Sequence, residues 1–483
     1  MIAFPKIIQG GMGVAISNWK LARTVSRLGQ LGVVSGTGIE TILARRLQLG
    51  DPGGEVRRAL AHFPFPDMVQ RVLADYFIEG GKTEASAFRL VPKASLKPGP
   101  RSVEPVVLGS FVEVFLARDG HEGLVGINLL EKIQLPTLPA LFGAMLAGVA
   151  CVLMGAGIPR SIPGALDRLA AGQPAELKID VEGSLPGEEF VSTFDPRAFC
   201  GGDVPKLQRP KFVAIISSAT LAITLARKSN GQVDGFVVEG ESAGGHNAPP
   251  RGPMQLSAKG EPVYGPRDIP ELERIRALGL PFWLAGSYGQ PGKLKVALDL
   301  GAAGVQVGTA FAFCEESGLH PKIKRQAIEL SQHGRAAIFT DPLASPTGFP
   351  FKVAVVAGTL SDPTIFAARK RICDIGALRR PYRQADGTVG YRCSGEPVED
   401  YVRKGGNQKE TVGRKCVCNG LLATAGFAQV RPELGAEPAL VTAGNDFGRI
   451  AEFLPPESDS YTAADVVRRL LEGHNSCLKA TFE

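Results

Sequence analysis

The feature that most constrains the fold is a repeated pattern in which a short apolar segment is followed by a turn and then by a helical pattern. Eight such segments follow one another along the chain: Lys6–Gly10, Leu31–Gly36, Leu124–Leu129, Cys151–Gly157, Lys211–Ser217, Gly235–Gly240, Phe282–Gly286 and Gly304–Gly308. Strands that are apolar along their whole length are covered on both faces, and their alternation with helices is typical of parallel βα units. We therefore predict an α/β fold, a (β/α)8 TIM barrel over residues 1–340. A doubly wound open sheet is the alternative, although it would not ordinarily need eight units.

Helical patterns lie between and after these segments, at Trp19–Leu28, Ile39–Leu49, Leu138–Leu146, Ile162–Ala171, Ala219–Lys228, Ile269–Leu278, Gly292–Leu300 and Pro321–His333. The spacing is uneven, which predicts insertions in the barrel at about residues 50–123 and 176–210. From Asp341 the pattern changes, and three prolines and a glycine between residues 342 and 350 mark a connector. We predict that residues 341–483 form a cysteine-containing C-terminal extension or small domain.

The composition predicts an ordered chain with many turns. Glycine and proline supply 59 and 36 of the 483 residues, but 44% of the residues are hydrophobic and only 21% are charged. Such a chain can bury enough apolar surface to fold. A net charge of +6 is too small for a general nucleic-acid footprint. The longest apolar run, Leu138–Met154, is shorter than a membrane helix, and residues 1–6 lack the features of a signal peptide. We therefore predict a cytoplasmic protein that binds neither nucleic acid nor membrane.

The segment after the sixth predicted strand carries the strongest candidate for a catalytic group. Glu239-Gly-Glu-Ser-Ala-Gly-Gly-His246 begins at a strand end, where barrel enzymes place their catalytic loops. Gly244 and Gly245 let the backbone approach a ligand closely, and His246 can accept a proton near neutral pH. A surface-loop histidine is the alternative. The position and the double glycine favour a catalytic His246.

The loops after the seventh and eighth predicted strands favour a phosphate site. Gly286, Ser287 and Gly289 follow the seventh strand, and Gly308 and Thr309 follow the eighth. In barrels these two loops commonly bind phosphate through exposed backbone N–H groups. Ordinary turn glycines are the alternative, but the location at these two strands favours phosphate binding.

The first three predicted strands end in residues that suit an extended polar ligand. The backbone at Gln9-Gly10-Gly11-Met12 can lie flat against such a ligand, with Met12 as a polarizable cover. Gly36 and Thr37 end the second strand, and Asn128 lies inside the third, where a buried amide needs a partner. For the first loop, an ordinary turn between strand and helix is the alternative. For Asn128, a neighbouring strand end could supply the partner instead of a ligand.

Together these motifs resemble the nitronate monooxygenase family, formerly called 2-nitropropane dioxygenases. The resemblance rests on Pro5–Gly13, Leu21–Gly36, Gly126–Leu129, Glu239–His246, Ala285–Gly286 and Gly301–Phe311, in the same order along the chain. It implies an FMN-binding (β/α)8 barrel and an FMN-dependent oxidoreductase. The segments that end in His246 and Thr309 are its most specific parts.

The resemblance also implies roles for single residues. The histidine that matches His246 removes the acidic proton of the substrate near the reactive flavin N5. The loops at Gly286–Ser287 and Gly308–Thr309 hold the FMN phosphate, and the loop at Gln9–Met12 lies along the isoalloxazine. Asn128 matches an asparagine near the flavin. We expect further flavin contacts at Gly36, Thr37, Gly244, Gly245 and Gly289.

The implied reaction is the oxidation of an alkyl nitronate or similar carbon acid, with O2 and a small-molecule substrate as partners.

The chain departs from the family at Ser287, where a second glycine is usual, and in its insertions. The enlargement is similar to barrel reductases of polyketide or polyunsaturated fatty-acid assembly. An NAD(P)H-dependent enoyl-thioester reductase, whose partner would be an acyl carrier or CoA thioester, is therefore the alternative. A non-catalytic flavin-binding scaffold is a further alternative, against which the intact His246 argues, and a homo-oligomer stays open.

Four cysteines of the C-terminal extension predict a metal site. Cys373, Cys393, Cys416 and Cys418 offer enough thiolates for tetrahedral zinc or an iron–sulfur cluster. Their spacings match no short-motif zinc finger. Four reduced cysteines without a metal are the alternative.

Overall fold

The computed structural model describes the backbone of residues 4–479 and the side chains of residues 4–472. Within this range the strands are β1 (Ile7–Gln9), β2 (Gly32–Ser35), β3 (Val125–Leu130), β4 (Cys151–Gly155), β5 (Ala175–Lys178), β6 (Val191–Phe194), β7 (Lys211–Ile216), β8 (Gly235–Glu239), β9 (Phe282–Ala285), β10 (Gly304–Val307), β11 (Ile338–Asp341), β12 (Phe351–Ala354), β13 (Arg380–Arg383), β14 (Val389–Arg392), β15 (Val430–Arg431) and β16 (Gly435–Ala436).

The helices of the same range are α1 (Trp19–Arg27), α2 (Ile39–Gln48), α3 (Glu55–Leu60), α4 (Pro66–Tyr76), α5 (Pro100–Arg118), α6 (Thr137–Leu146), α7 (Ile162–Ala170), α8 (Pro196–Cys200), α9 (Ala219–Lys228), α10 (Leu272–Arg276), α11 (Lys293–Asp299), α12 (Thr309–Ala312), α13 (Pro321–Gln332), α14 (Pro363–Ala368), α15 (Val398–Arg403), α16 (Val417–Thr424) and α17 (Ala463–Lys479). Short 3-10 helices lie at Pro266–Asp268, Gln408–Thr411 and Asn445–Phe453. No helix of residues 4–479 is long and apolar enough to cross a membrane.

The eight strands predicted from sequence form one parallel sheet, in the order β1-β10-β9-β8-β7-β4-β3-β2. The sheet closes between β1 and β2, where Ile8 and Leu31 form a parallel bridge. At this seam the Gln9 N–H donates to the Leu31 carbonyl at 3.0 Å, and the Leu31 N–H donates to the Ile7 carbonyl at 3.1 Å. The prediction of a TIM barrel is therefore confirmed.

The barrel is a packed core with side chains inside and outside the sheet. Strand residues that point inward form one apolar cluster, made of Ile8, Leu31, Val33, Cys151, Leu153, Val213, Val237, Trp283 and Ala285. The other face of each strand packs against the helices in a larger cluster. Both faces are therefore covered, which is why these strands are apolar along their whole length.

Two helical regions differ from the sequence prediction. The helix predicted at Ile269–Leu278 is shortened to α10, and Ile269, the residue before Pro270, has an extended backbone, as residues before proline usually do. Helix α5, in the predicted insertion between β2 and β3, was not predicted. It is buried on nearly every side, so it shows no amphipathic stripe. It packs closely on α6 because Gly143 has no side chain, and a Cβ there would lie 2.1 Å from the Val107 carbonyl oxygen.

The segment from Asp341 onward continues the core of the barrel. Phe447, Ile450 and Phe453 belong to the same apolar cluster as the barrel helices. The Tyr461 hydroxyl donates to the Ala310 carbonyl oxygen at 2.7 Å. Strands β11 and β12 form an antiparallel hairpin, and Phe351 of β12 pairs with His246 in the loop after β8. The domain boundary near residue 340 stays a prediction.

Candidate functional site

A cavity of about 260 Å³ lies at the carboxyl ends of the barrel strands. The predicted site residues that line it come from six of the eight strand-end loops: Gly10, Gly11, Met12, Thr37, Asn128, Gly244, Gly245, His246, Gly286, Ser287, Gly289, Gly308 and Thr309. Parallel strands place their carboxyl ends on one face, so residues far apart in sequence meet here.

Two predicted site residues do not line this cavity. Gln9 is fully buried beneath the first loop, where its Nε2 donates to Ser17 Oγ at 2.8 Å and its Oε1 accepts from the Val33 N–H at 3.0 Å. Its amide supports the loop from below. Gly36 lines a neighbouring chamber.

His246 is the titratable side chain that the sequence prediction singled out, and the structure holds it firmly in place. Its Nε2 lies 2.7 Å from Ser345 Oγ. Its ring packs edge-on against Phe351, with the ring centroids 4.9 Å apart. Nδ1 forms no hydrogen bond with any residue that the structure describes. One ring nitrogen is therefore anchored and the other is free for a ligand.

The hydrogen bonds that fix the His246 loop come from the C-terminal segment. The Gly245 N–H donates to Thr442 Oγ1 at 2.8 Å, and the Gly245 carbonyl oxygen accepts from the Lys352 N–H at 2.9 Å. The Asn247 N–H donates to the Pro350 carbonyl oxygen at 2.9 Å. The loop thus pairs with the start of β12 as an extra strand would. Sequence reasoning missed these partners, and no local motif marks them.

Burial and a nearby cation control the charge of His246. Burial lowers the pKa of His246 to about 3, and the Lys132 ammonium adds to the effect. Burial, followed by the charge of Arg380, lowers the pKa of Lys132 itself to about 7. His246 is therefore neutral at physiological pH.

Glu239 is a second titratable group on the cavity wall, at the end of β8. Burial raises the pKa of its carboxyl to about 7. The sequence prediction included Glu239 only as the start of the His246 motif.

The first loop and β3 fit together without a gap. A Cβ on Gly11 would lie 2.1 Å from the Cβ of Asn128, so only glycine allows the loop to cross over Asn128. Asn128 is 7% exposed and faces the cavity. Gln306, on β10, also lines the cavity, and its buried Oε1 has no hydrogen-bond partner among the described residues. The sequence carried a signal for Gln306, because it is a polar residue within an apolar strand, as Asn128 is.

The loops after β9 and β10 meet, as predicted for a phosphate site. Gly286 and Ser287 have φ angles of 87° and 55°, so both lie in the left-handed region. This conformation explains why glycine is usual at the position of Ser287, where a side chain costs about 1–2 kcal/mol.

The C-terminal segment already occupies part of these loops. The Gly289 N–H donates to Asp446 Oδ2 at 3.3 Å, and Gln290 Nε2 donates to Asp446 Oδ1 at 3.0 Å. Thr309 Oγ1 accepts from the Gly444 N–H at 2.9 Å. A carboxylate therefore lies at the edge of the predicted phosphate site.

The described residues give no support to the predicted metal site at the four C-terminal cysteines. Among the side chains of residues 4–472, no group of three or more His, Cys, Asp or Glu residues is arranged to hold a metal ion. Cys416 Sγ instead lies 3.7 Å from the Ile372 carbonyl oxygen, and Cys418 lines the main cavity. Cys373 and Cys393 contact each other, which lowers the pKa of the Cys373 thiol to about 7. Zinc or an iron–sulfur cluster at these four cysteines therefore has no support from the described residues and stays a prediction.

Part of this chain is similar to known proteins. Residues 172–341 match the family model described as nitronate monooxygenase. A probable nitronate monooxygenase of Bacillus subtilis (strain 168) is 35% identical over 130 residues, which are 27% of this chain and 35% of that protein. The nitronate monooxygenase of Pseudomonas aeruginosa is 31% identical over 138 residues, which are 26% of this chain and 36% of that protein. The alignments thus span about a third of the length of these relatives.

Solved structures give a weaker likeness. A nitroalkane oxidase from Streptomyces ansochromogenes has a TM-score of 0.48 and 15% sequence identity, covering 99% of this chain and 97% of that chain. FabK from Thermotoga maritima has a TM-score of 0.47 and 14% identity, covering 99% and 95%. The assignment of the fold rests on the strand order of the chain itself. The segment that matches the nitronate monooxygenase family model, residues 172–341, contains His246 and both predicted phosphate loops.

Proposed function

We propose that the protein is an FMN-dependent oxidoreductase that oxidises a nitroalkane, its alkyl nitronate or a similar carbon acid with O2. The observation that carries the proposal is the position of His246. It is a neutral, anchored histidine on the wall of a cavity whose floor is made of glycine-rich strand-end loops.

The cavity residues fit FMN. The unpartnered Oε1 of Gln306 is a buried acceptor that an N–H group of a flavin ring would satisfy. Gly10, Gly11 and Met12 offer a flat surface to the ring system, and Asn128 a polar edge. The backbone at Gly286, Ser287 and Gly308 would hold the phosphate, beside the carboxylate of Asp446.

When bound, FMN supplies the redox chemistry, since it can accept electrons from an organic anion and pass them to O2. The protein supplies a base and a dry, oriented site. With a neutral nitroalkane, His246 takes the proton from the carbon next to the nitro group. An alkyl nitronate is already the anion, so it needs orientation but no base.

The surrounding residues prepare His246 for this step. Ser345 fixes the tilt of the ring through Nε2, which leaves Nδ1 for the substrate proton. Phe351 covers one side of the ring and excludes water. Burial keeps the imidazole unprotonated at physiological pH.

The direct test is the visible spectrum of freshly purified protein after incubation with FMN, followed by oxygen uptake with nitroethane and with propyl-2-nitronate. We expect a yellow protein that consumes O2 with both substrates. A colourless protein that does not take up FMN would contradict the proposal.

A second candidate is an NAD(P)H-dependent enoyl-thioester reductase. The observation that favours it is the chamber next to the main cavity, which gives more room than a small nitroalkane needs. Anaerobic stopped-flow mixing separates the two functions. Rapid bleaching of the flavin by NADPH or NADH favours the reductase, whereas bleaching only by nitronates favours the oxidase.

A further inference from the structure

A second chamber, of about 70 Å³, lies next to the main cavity. The side chains of Thr37, Leu130, Ile133, Ile375 and Ala377 line both, so the two are direct neighbours. Neither the sequence motifs nor the proposed reaction assigns a ligand to this chamber.

Two cationic side chains on the wall of this chamber each have a buried nitrogen without a hydrogen-bond partner among the described residues. Arg45 is 1% exposed, and its buried Nη2 forms no hydrogen bond with any described residue. Its other terminal nitrogen donates to the Phe427 carbonyl oxygen. The buried Nζ of Lys132 also lacks a hydrogen-bond partner and packs over the ring of Phe349. Buried charged donors without acceptors are costly, and natural structures rarely leave them so.

The carboxyl groups of the chamber form no hydrogen bond with Arg45 or Lys132. Asp374 is engaged elsewhere, because it accepts from Arg431 and from Asn419, both at 2.6 Å. Burial raises the pKa of the Glu40 carboxyl, which favours its neutral form. The chamber therefore has an excess of positive charge, because five cationic side chains line it against two carboxyl groups: Arg45, Arg89, Lys93, Lys132 and Arg379 against Glu40 and Asp374.

We propose that the second chamber binds the anionic end of the substrate, a carboxylate or a phosphate, through Arg45 and Lys132. The substrate is then an amphipathic anion whose apolar middle passes Leu130 and Ile133 while its reacting carbon lies beside His246. This inference rests on the proposed function for the position of the reacting carbon. The anion site itself does not depend on turnover.

Isothermal titration of the purified protein with hexanoate and with hexan-1-ol tests the anion site. The two probes have the same chain length, and only hexanoate carries a charge. We expect hexanoate to bind at least tenfold more tightly than hexan-1-ol. We also expect Arg45→Met and Lys132→Met each to weaken hexanoate about tenfold while hexan-1-ol changes little.

The matched control is Arg23→Met. Arg23 also has a buried nitrogen without a partner, but it does not line the chamber, so this variant should bind hexanoate as the wild type does. Equal affinity for the two probes, or no loss of hexanoate binding in Lys132→Met, would overturn the proposal. If Arg45→Met does not fold, Lys132→Met decides alone.

Hexyl phosphate identifies the anion. Tighter binding of hexyl phosphate than of hexanoate assigns a phosphate, and the reverse order assigns a carboxylate. Failure of the proposed function gives a different result, in which hexanoate binds and both variants weaken it, but neither nitroethane nor propyl-2-nitronate is oxidised.

Discussion

The barrel loops and the C-terminal segment line the same cavity, but they contribute different things to it. The loops after the barrel strands supply His246, the glycine backbone and Gln306. The segment after Asp341 supplies Ser345, Phe351 and Thr442, which hold and cover the His246 loop. In the proposed enzyme the barrel therefore provides the reacting group. The C-terminal segment orients that group and excludes water from it.

The local environment of His246 therefore depends on the C-terminal segment as well as on the barrel. The residue follows β8, yet the side chain that anchors it is Ser345, 99 positions away. A barrel loop without such a cover would leave the imidazole in water, where its pKa would be near 6.5.

Removal of the proposed base, His246, has the largest expected effect. We expect His246→Asn to lower kcat with nitroethane by roughly 10²–10⁴-fold, which is the usual contribution of a general base. Binding of FMN should be retained. Turnover of preformed propyl-2-nitronate should fall much less, because this substrate needs no base. The measurement is oxygen uptake with both substrates.

His333→Asn, at the exposed end of α13, is the matched control and should change neither rate. If His246→Asn oxidises nitroethane as the wild type does, the base lies elsewhere, and the barrel loop does not supply it.

A second prediction concerns the burial that the C-terminal segment provides. The folded protein holds the pKa of His246 at about 3, below the ordinary value of 6.5. Between these two values the unfolded chain binds more protons at this residue, so its contribution to stability falls as the pH falls below 6.5. At pH 5 the loss is roughly 2 kcal/mol relative to pH 7.5.

Urea unfolding of the wild type and of His246→Asn at both pH values isolates this term. The comparison is needed because Glu239, whose pKa is raised to about 7, titrates with the opposite sign. We expect the wild type to lose about 2 kcal/mol more than the variant on acidification. Equal losses in the free energy of unfolding of the wild type and the variant would mean that the C-terminal segment does not shield His246 from water.

The barrel and the C-terminal segment also differ in how much of each could be predicted from sequence. The eight strands were predicted because each is encoded locally, by a short apolar run and a turn. Barrel geometry then brings their ends together, so His246, Gly286 and Gly308 could be assigned to one face. Local patterns and one topological rule were sufficient.

The C-terminal contribution could not be predicted, because it depends on contacts between distant residues. Thr442 bonds to Gly245 across 197 positions, and no period or spacing marks the pair. The four C-terminal cysteines show the same limit, since their number suggested a metal site but the described residues form no group arranged to hold a metal ion. Helix α5 escaped prediction because burial on every side removes the amphipathic pattern.

A smaller effect is expected when the anchor of His246 is removed. Ser345→Ala deletes the hydroxyl that lies 2.7 Å from Nε2, and one hydrogen bond is worth about 1 kcal/mol. We expect kcat with nitroethane to fall about fivefold, with little change for propyl-2-nitronate. The ratio of the two rates is the measurement, because a general loss of structure would lower both.

Ser331→Ala is the control for this variant. Ser331 is also a buried serine, and its hydroxyl donates to the Gly448 carbonyl oxygen at 2.9 Å, away from His246. It should lower the melting temperature without altering the ratio of the two rates. A ratio that stays the same in Ser345→Ala would show that the barrel loop orients His246 without help.

The smallest predicted effect is at the phosphate end of the cavity, where the C-terminal segment opposes the barrel loops. Asp446 accepts the Gly289 N–H group and places a carboxylate beside the proposed phosphate site. Two like charges about 6 Å apart repel by roughly 0.7 kcal/mol in a water-like dielectric. We therefore expect Asp446→Asn to bind FMN about threefold more tightly, measured by fluorescence titration, and the gain to shrink at high salt.

Asp459→Asn makes the same change of charge at an exposed position and should leave the affinity for FMN unchanged. Weaker binding in Asp446→Asn would reverse the interpretation of this contact. The carboxylate would then be an acceptor for the hydroxyl groups of the cofactor, and the C-terminal segment would hold FMN as it holds His246. Since an asparagine oxygen can still accept the Gly289 N–H group, the sign of the change separates charge repulsion from a lost hydrogen bond.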